Sequence, residues 1–413
     1  MAINRRSAMM LMGGGIATAA GCQATTGTAQ RLVLPANYFA TTPLRYPQFA
    51  VVPENPKYGF NFDSWDKLMR AAVVDFGRSD RISRGKPPAE FGTRFAKGHQ
   101  SPYRAEANRI PFSLLGKNEL KIFTQAREIL EEQGNQAPIS QFSWSDQLAY
   151  WFNLHNAILI EQLAMRYPTP FPEKLLVGPN NEPLHTAKLV TIEGAPLSLQ
   201  DIRVEIVYRG WKHPGVIYGF FHGDVGGPTI RRGAYTGKGV NRQLATTANE
   251  FVNSLRGVRE YGSYIAVSRL YEETKPLFPG WPNDFRNHLM DYAEDTVAEI
   301  LETGKPIQIK QYDNRIADLA GGNLMGSSSS RTPVTGIFPS DVPGEKDTKT
   351  LSGPGGTIIT SVDRLMAGSA GLPPHVARTM ADRAIKLRTL RLRGRGRRKT
   401  TVVIRDLPTS PNQ

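Results

Sequence analysis

Cysteine is almost absent from this chain. Cys22 stands alone among 413 residues, so no internal disulfide forms. If Cys22 is consumed by processing, the body that follows has no thiol nucleophile. Long apolar runs are scarce too. Beyond the N-terminal segment, no stretch reaches the roughly 18 apolar residues that a membrane helix needs. Acid is missing from one place in particular. Nine basic residues and no carboxylate lie between Arg383 and Lys399, against a net charge of +14 for the whole chain. The excess charge therefore belongs largely to a tail and says little about the main body.

The N-terminus explains the single cysteine. Arg5-Arg6 precede an apolar run, Ala8-Met9-Met10-Leu11-Met12, and Ala19-Ala20-Gly21 lead into Cys22. A positive start, a short apolar core and small residues before a cut point read as an export signal over residues 1–21. Small residues followed by cysteine resemble a bacterial lipoprotein signal, which implies lipidation at Cys22. Asn4-Arg5-Arg6-Ser7 adds a twin-arginine flavour. The expected location is the periplasm, with the protein held at a membrane by lipidated Cys22.

Residues 22–60 read as a tether and an extended wrap. Residues 61–320 form the main domain. Gly, Ser and Pro dominate 321–361, a flexible linker, and 362–413 is a basic extension. In that extension Pro374 to Leu392 predicts a basic amphipathic helix and Thr400 to Ile404 a short strand. The basic run 383–399 suits an anionic envelope surface or an acidic protein. Nucleic acid is not an expected partner for an exported chain.

Within the main domain, helical spacing predicts a helix from about Ser64. A second opens at Lys117 and stops at Gly134, and a third starts at Ser143-Trp144-Ser145-Asp146 with Ser143 or Ser145 as cap. Leu189 to Ile192 and Val216 to Phe221 read as strands. A short helix is predicted from Ser198 through Ile206, with longer ones over Asn241 to Leu255 and Phe285 to Leu301. The expected fold class is α+β, a helical N-terminal half packed on a small mixed or antiparallel sheet.

Several segments carry a family resemblance. Gln147-Leu148-Ala149-Tyr150-Trp151-Phe152-Asn153-Leu154-His155-Asn156-Ala157 is the longest. Leu197-Ser198-Leu199-Gln200-Asp201-Ile202 and Gly233-Ala234-Tyr235-Thr236 follow in order, then Phe278 to Phe285 and Tyr312-Asp313. Together they resemble the family called domain of unknown function 547. The resemblance implies a compact α+β domain similar to papain-like cysteine hydrolases. Many relatives carry N-C-x-x-x-S-C-P, where this chain reads Phe221-His222-Gly223-Asp224-Val225-Gly226-Gly227-Pro228. His222 and Gly227 replace the two cysteines, and without a thiolate the corresponding nucleophile is lost.

The remaining candidates for chemistry are His222, Asp224 and His155. They can act as a base with its orienting acid, or simply be hydrogen-bonded histidines at a tight turn. Asn153, Asn156, Arg231 and Arg232 are candidate ligand-binding groups. The more ordinary work for the two asparagines is to bond neighbouring backbone, and for the arginines to be solvated. No metal-ligand spacing or cofactor motif is read. The sequence thus favours an exported binding or scaffold protein on a degenerate hydrolase-like domain. The alternative is a non-thiol hydrolase using His222 with Asp224 to activate water.

Overall fold

The structure is a computed structural model that describes residues 32–51, 56–85 and 99–323. The export signal, Cys22, most of the 321–361 linker and the basic extension 362–413 lie outside the described residues. Nine α-helical segments and seven strands are assigned among the described residues. In chain order, α1 (Tyr38–Thr41), α2 (Asp63–Ala72), α3 (Lys117–Gln136) and α4 (Trp144–Met165) come first. Two hairpins follow, β1 (Leu176–Val177) with β2 (Glu182–Pro183), and β3 (Val190–Ile192) with β4 (Ala195–Leu197). A helix of π geometry, Asp201–Tyr208, runs on into α5 (Arg209–Trp211). The last part holds α6 (Val240–Val252), β5 (Val258–Tyr261), β6 (Tyr264–Ser268) and α7 (Leu270–Thr274). It closes with α8 (Asn283–Met290), α9 (Asp295–Glu302) and β7 (Ile307–Gln311). In the three-stranded sheet β5 and β6 are antiparallel, and β7 joins β6 in parallel. The fold is α+β, with four helices first and then small sheets interleaved with further helices.

The centre of the molecule is α4. Every residue from Gln147 to Glu161 is buried, on all faces. A helix that is buried all round is a core element rather than an amphipathic one. Ser143 caps it, its Oγ accepting from the Asp146 N–H at 3.1 Å, and Asp146 sits in the first turn where the dipole favours a carboxylate. The choice left open between Ser143 and Ser145 falls to Ser143. The segment 32–51 supplies Leu34, Tyr46 and Phe49 to the same core, and Phe49 packs edge-on against Trp151 at 5.1 Å.

Three sequence expectations differ from the structure. The second helix does not stop at Gly134 but runs through it to Gln136. A Cβ there would lie 1.9 Å from the Tyr150 hydroxyl, so the glycine serves the close approach of α3 to α4. Phe285 to Leu301 is two helices, not one. The Asn253 amide donates to Tyr292 O at 2.8 Å and accepts from Glu294 N–H at 2.7 Å, which ends α8 and starts α9.

The third difference matters most for the site. Val216 to Phe221 is no strand, because Pro214–Gly219 is a 3₁₀ helix and the chain then runs irregularly to Gly223. Pro214 opens the turn, His213 Nδ1 accepts from Gly215 N–H, and no neighbouring strand takes the exposed backbone. The Asn156 side chain takes it instead. Its amide donates to Gly219 O at 3.1 Å and its oxygen accepts from Phe221 N–H at 3.0 Å.

Removing that amide strands a buried carbonyl and a buried N–H, each costing about 1–3 kcal/mol. Asn156→Ala should therefore lower the unfolding free energy by about 2–4 kcal/mol in urea titration. A midpoint equal to that of the unmodified protein would show that this clamp is dispensable.

Candidate functional site

Two asparagines one turn apart on α4 hold the segments around the site. Asn156 holds 219–221 as above. Asn153 forms a matched pair with Tyr235, donating to its carbonyl and accepting from its N–H, both at 2.9 Å. Both amides are thus spent on backbone, one helical turn apart.

Between these clamps lies His155, which has no exposed surface. Arg203 Nη1 lies 3.1 Å from its Nε2, and a guanidinium only donates. Nε2 must then be the acceptor, which leaves the proton on Nδ1, facing Asn156 Oδ1 at 3.1 Å. The ring is neutral and its lone pair is occupied. Burial, followed by the nearby Arg203 charge, holds its pKa well below the usual histidine value.

Arg203 is itself paired. Its Nε and Nη2 meet Glu273 Oε1 and Oε2 at 2.8 and 3.0 Å, a bidentate contact between two side chains that are each 3 % exposed. Nη1 also reaches His185 Nδ1 at 3.3 Å. His185 is half-buried, and its ring lies 6.1 Å from that of His222. A polar network therefore runs from Asn156 through His155, Arg203 and His185 toward His222. Neither Arg203, Glu273 nor His185 was singled out from the sequence. Arg203 and Glu273 are 70 residues apart, and no local spacing pairs them.

His222 is 4 % exposed and Asp224 6 %. No strand alternation sets them side by side, because Gly223 takes a left-handed φ of 85° and turns the chain. Asp224 instead bridges antiparallel to Ile316, and Oδ1 accepts from the Tyr312 hydroxyl at 2.7 Å and from Gly227 N–H at 3.0 Å. The two side chains still converge on one point. A Cβ placed on Gly227 would sit 3.2 Å from His222 Cβ, Asp224 Oδ1 and the Tyr312 hydroxyl alike. Tyr312-Asp313, noted in the sequence only as a late landmark, thus meets the turn directly, and Asp313 O accepts from Gly226 N–H. From behind, the buried Arg256 guanidinium donates to Gly227 O at 2.6 Å and ion-pairs with Glu106 and Glu250.

The two candidate arginines are elsewhere in role. Arg231 is half-buried with its guanidinium 5.2 Å over the Tyr235 ring, and Arg232 is exposed. Among the described residues, no three His, Cys, Asp or Glu side chains are grouped so as to hold a metal ion. None of the described helices is long and apolar enough to cross a membrane.

The comparisons with known proteins bear on this region. Residues 139–252 match the family described as protein of unknown function, DUF547. The match covers α4, both asparagine clamps, Arg203 and the turn from His222 to Gly227. Comparison with curated proteins and with solved structures gives no match.

Two outcomes follow from this geometry. Glu273→Ala leaves a buried guanidinium without its carboxylate and should cost about 3–5 kcal/mol, whereas Arg203→Met with Glu273→Leu should recover most of that loss. Equal losses in the single and double variants would contradict a closed ion pair. The second outcome concerns pH. His99 and His155 are held well below the ordinary value and His288 at about 3, each chiefly by burial. Their folded pKa values lie under the unfolded value near 6.5, so below that pH the unfolded chain binds protons that the folded one refuses. Stability should fall with acidification from pH 6.5, by up to about 1.4 kcal/mol per pH unit for each ring. Asp318 works in the other direction, since burial raises it to about 6. Urea midpoints that stay flat between pH 7 and 5 would contradict the assignment.

Proposed function

We propose that this chain is an exported, lipid-anchored envelope protein whose DUF547 region works as a binding scaffold rather than as a hydrolase. One observation carries the reading. At the position where the resemblance puts a relative's cysteine there is Gly227, and both Asp224 beside it and the buried Arg203 network elsewhere in the interior are already committed. Asp224 accepts from Tyr312 and from Gly227 N–H. Arg203 and Glu273 neutralise each other, and His155 has given its lone pair to Arg203.

The hydrolase-like ancestry in this reading rests on the expected likeness to papain-like cysteine hydrolases. The competing reading has His222 activate water with Asp224 behind it. A general base must reach its substrate. The 4 % exposure of His222 weighs against that role. Export and anchoring are supported by the arginine pair, the apolar run and the small residues before Cys22.

Two experiments test the parts separately. Cys22→Ser should abolish incorporation of labelled fatty acid and release the protein from the membrane fraction in a bacterial host. Unchanged labelling would sink the anchor. Gly227→Cys places a thiol against His222, Asp224 and Tyr312. It should acquire iodoacetamide reactivity with a thiol pKa displaced from the ordinary value near 8.5. A thiol at 227 that titrates and reacts as a free cysteine would remove the case for a lost nucleophile site.

A further inference from the structure

The three-stranded sheet packs one face on the core, and its other face is covered at Ala266 and opens to solvent toward the tip of the β5–β6 hairpin. Val258, Ile265 and Val267 are buried. On the other face the pairing register sets Tyr261 opposite Tyr264, and Arg259 opposite Ala266. Residues two apart on a strand share a face, so Arg259 and Tyr261 stand together. The side chains form a continuous stack. The Arg259 guanidinium lies 4.8 Å over the Tyr261 ring. Tyr261 stacks on Tyr264 at 5.6 Å with 18° between the planes. Lys310, from the neighbouring β7, places its ammonium 4.8 Å over Tyr264.

This stack closes the tip of the β5–β6 hairpin, whose turn residues Gly262 and Ser263 are exposed. Tyr261 is among the few large apolar side chains left 37 % exposed. Glu260 points to the opposite side of β5 and is held by Lys305 at 2.6 Å, so it does not neutralise the stack. Arg81 approaches the same edge, donating to Val258 O at 3.0 Å.

Exposed tyrosines flanked by cations have a specific physical preference. Tyrosine has an apolar body and a polar tip and is enriched where a bilayer meets water. Lysine and arginine stems lie along apolar surface while their charges reach phosphate. Each cation near an anionic leaflet adds about 1 kcal/mol of attraction.

The position of the chain start points to the same occupant. Leu34 N–H donates to Glu272 O on α7, directly after β6. The hairpin tip is one five-residue strand away from that corner, about 17 Å. Residues 23–31 separate Cys22 from the described body and span at most about 30 Å. A body tethered at Cys22 is therefore held within reach of its own membrane, and the tether is long enough for the hairpin tip to touch it.

We propose that the Arg259–Tyr261–Tyr264–Lys310 face is a membrane-docking surface that seats on the anionic phospholipid headgroups of the bilayer to which Cys22 is anchored. It deepens the anchoring part of the proposed function and rests on it. The lipid chain supplies attachment, and this face supplies a second contact and fixes which side of the domain looks outward.

The test uses the full chain carrying Cys22→Ser, so that no acyl chain contributes. It is sedimented with vesicles of phosphatidylcholine mixed with phosphatidylglycerol, and with pure phosphatidylcholine. Binding is expected to the mixed vesicles only. Arg259→Gln with Lys310→Gln should weaken it about 30-fold, and Tyr261→Ser with Tyr264→Ser should weaken it at unchanged charge. Lys310→Glu, at an exposed side chain that the fold does not need, should weaken it by at least as much as Lys310→Gln. Partitioning that is indifferent to all of these substitutions overturns the proposal and assigns any attraction to the basic run 383–399. Binding to soluble polyphosphate with none to mixed vesicles overturns it too, making the face a site for a dissolved polyanion. Because the assay omits the lipid anchor, its failure leaves the Cys22 labelling result untouched, and the reverse holds as well.

Discussion

The structure depends on one constraint: α4 is buried on every face from Gln147 to Glu161, so the amides and the imidazole it carries there are paired inside the protein. Leu148, Trp151, Leu154, Leu159 and Leu163 fill the space around it. Asn153, His155 and Asn156 are then fixed by necessity, since an unpaired amide or imidazole in that interior costs more than any single packing contact returns. The asparagines solve the problem by acting as surrogate strands. They give 219–221 and Tyr235 the hydrogen bonds that a neighbouring β-strand would otherwise supply. This is why an irregular segment sits at the centre of the molecule without stranding its backbone.

The same constraint extends outward through charge. His155 leads to Arg203, and a guanidinium at 2 % exposure requires a carboxylate of matching shape, which Glu273 provides in bidentate form. Arg256 repeats the arrangement behind the turn, with Glu106 and Glu250 around it and Val225 and Gly227 carbonyls in front. The turn from His222 to Gly227 is thus gripped from behind by buried Arg256, whose charge is neutralised locally. Groups held in this way are rigid, and their hydrogen-bonding capacity is directed inward.

The surface is organised differently from this interior. The exposed face of the small sheet combines tyrosine rings with cations stacked upon them, at a hairpin tip near the corner where the chain enters the body. Interior charge is paired and closed, whereas the charge on this face is displayed.

How much of this was legible beforehand follows from the range of each interaction. Local periodicity marked α2, α4 and α6, and the residue pattern around Ser143 marked a cap, because these features arise within a few residues of one another. The double asparagine on α4 was legible as a backbone clamp for the same reason, since buried amides carry a known cost. The 216–221 segment misled, because β-branched and aromatic residues suit a strand equally well as a buried 3₁₀ turn, and only Pro214 and the reach of Asn156 decide between them. The break between α8 and α9 was hidden because it is made by Asn253, far back in the chain. By itself the sequence determined the α+β class, the main helices, the absence of a thiol in the body and the resemblance to the family. Tertiary structure alone decided that Arg203 meets Glu273, that Tyr312 closes on Asp224, and that Lys310 completes the tyrosine stack. Such contacts join residues many tens of positions apart, and a chain carries no periodic trace of a partner that only folding brings near.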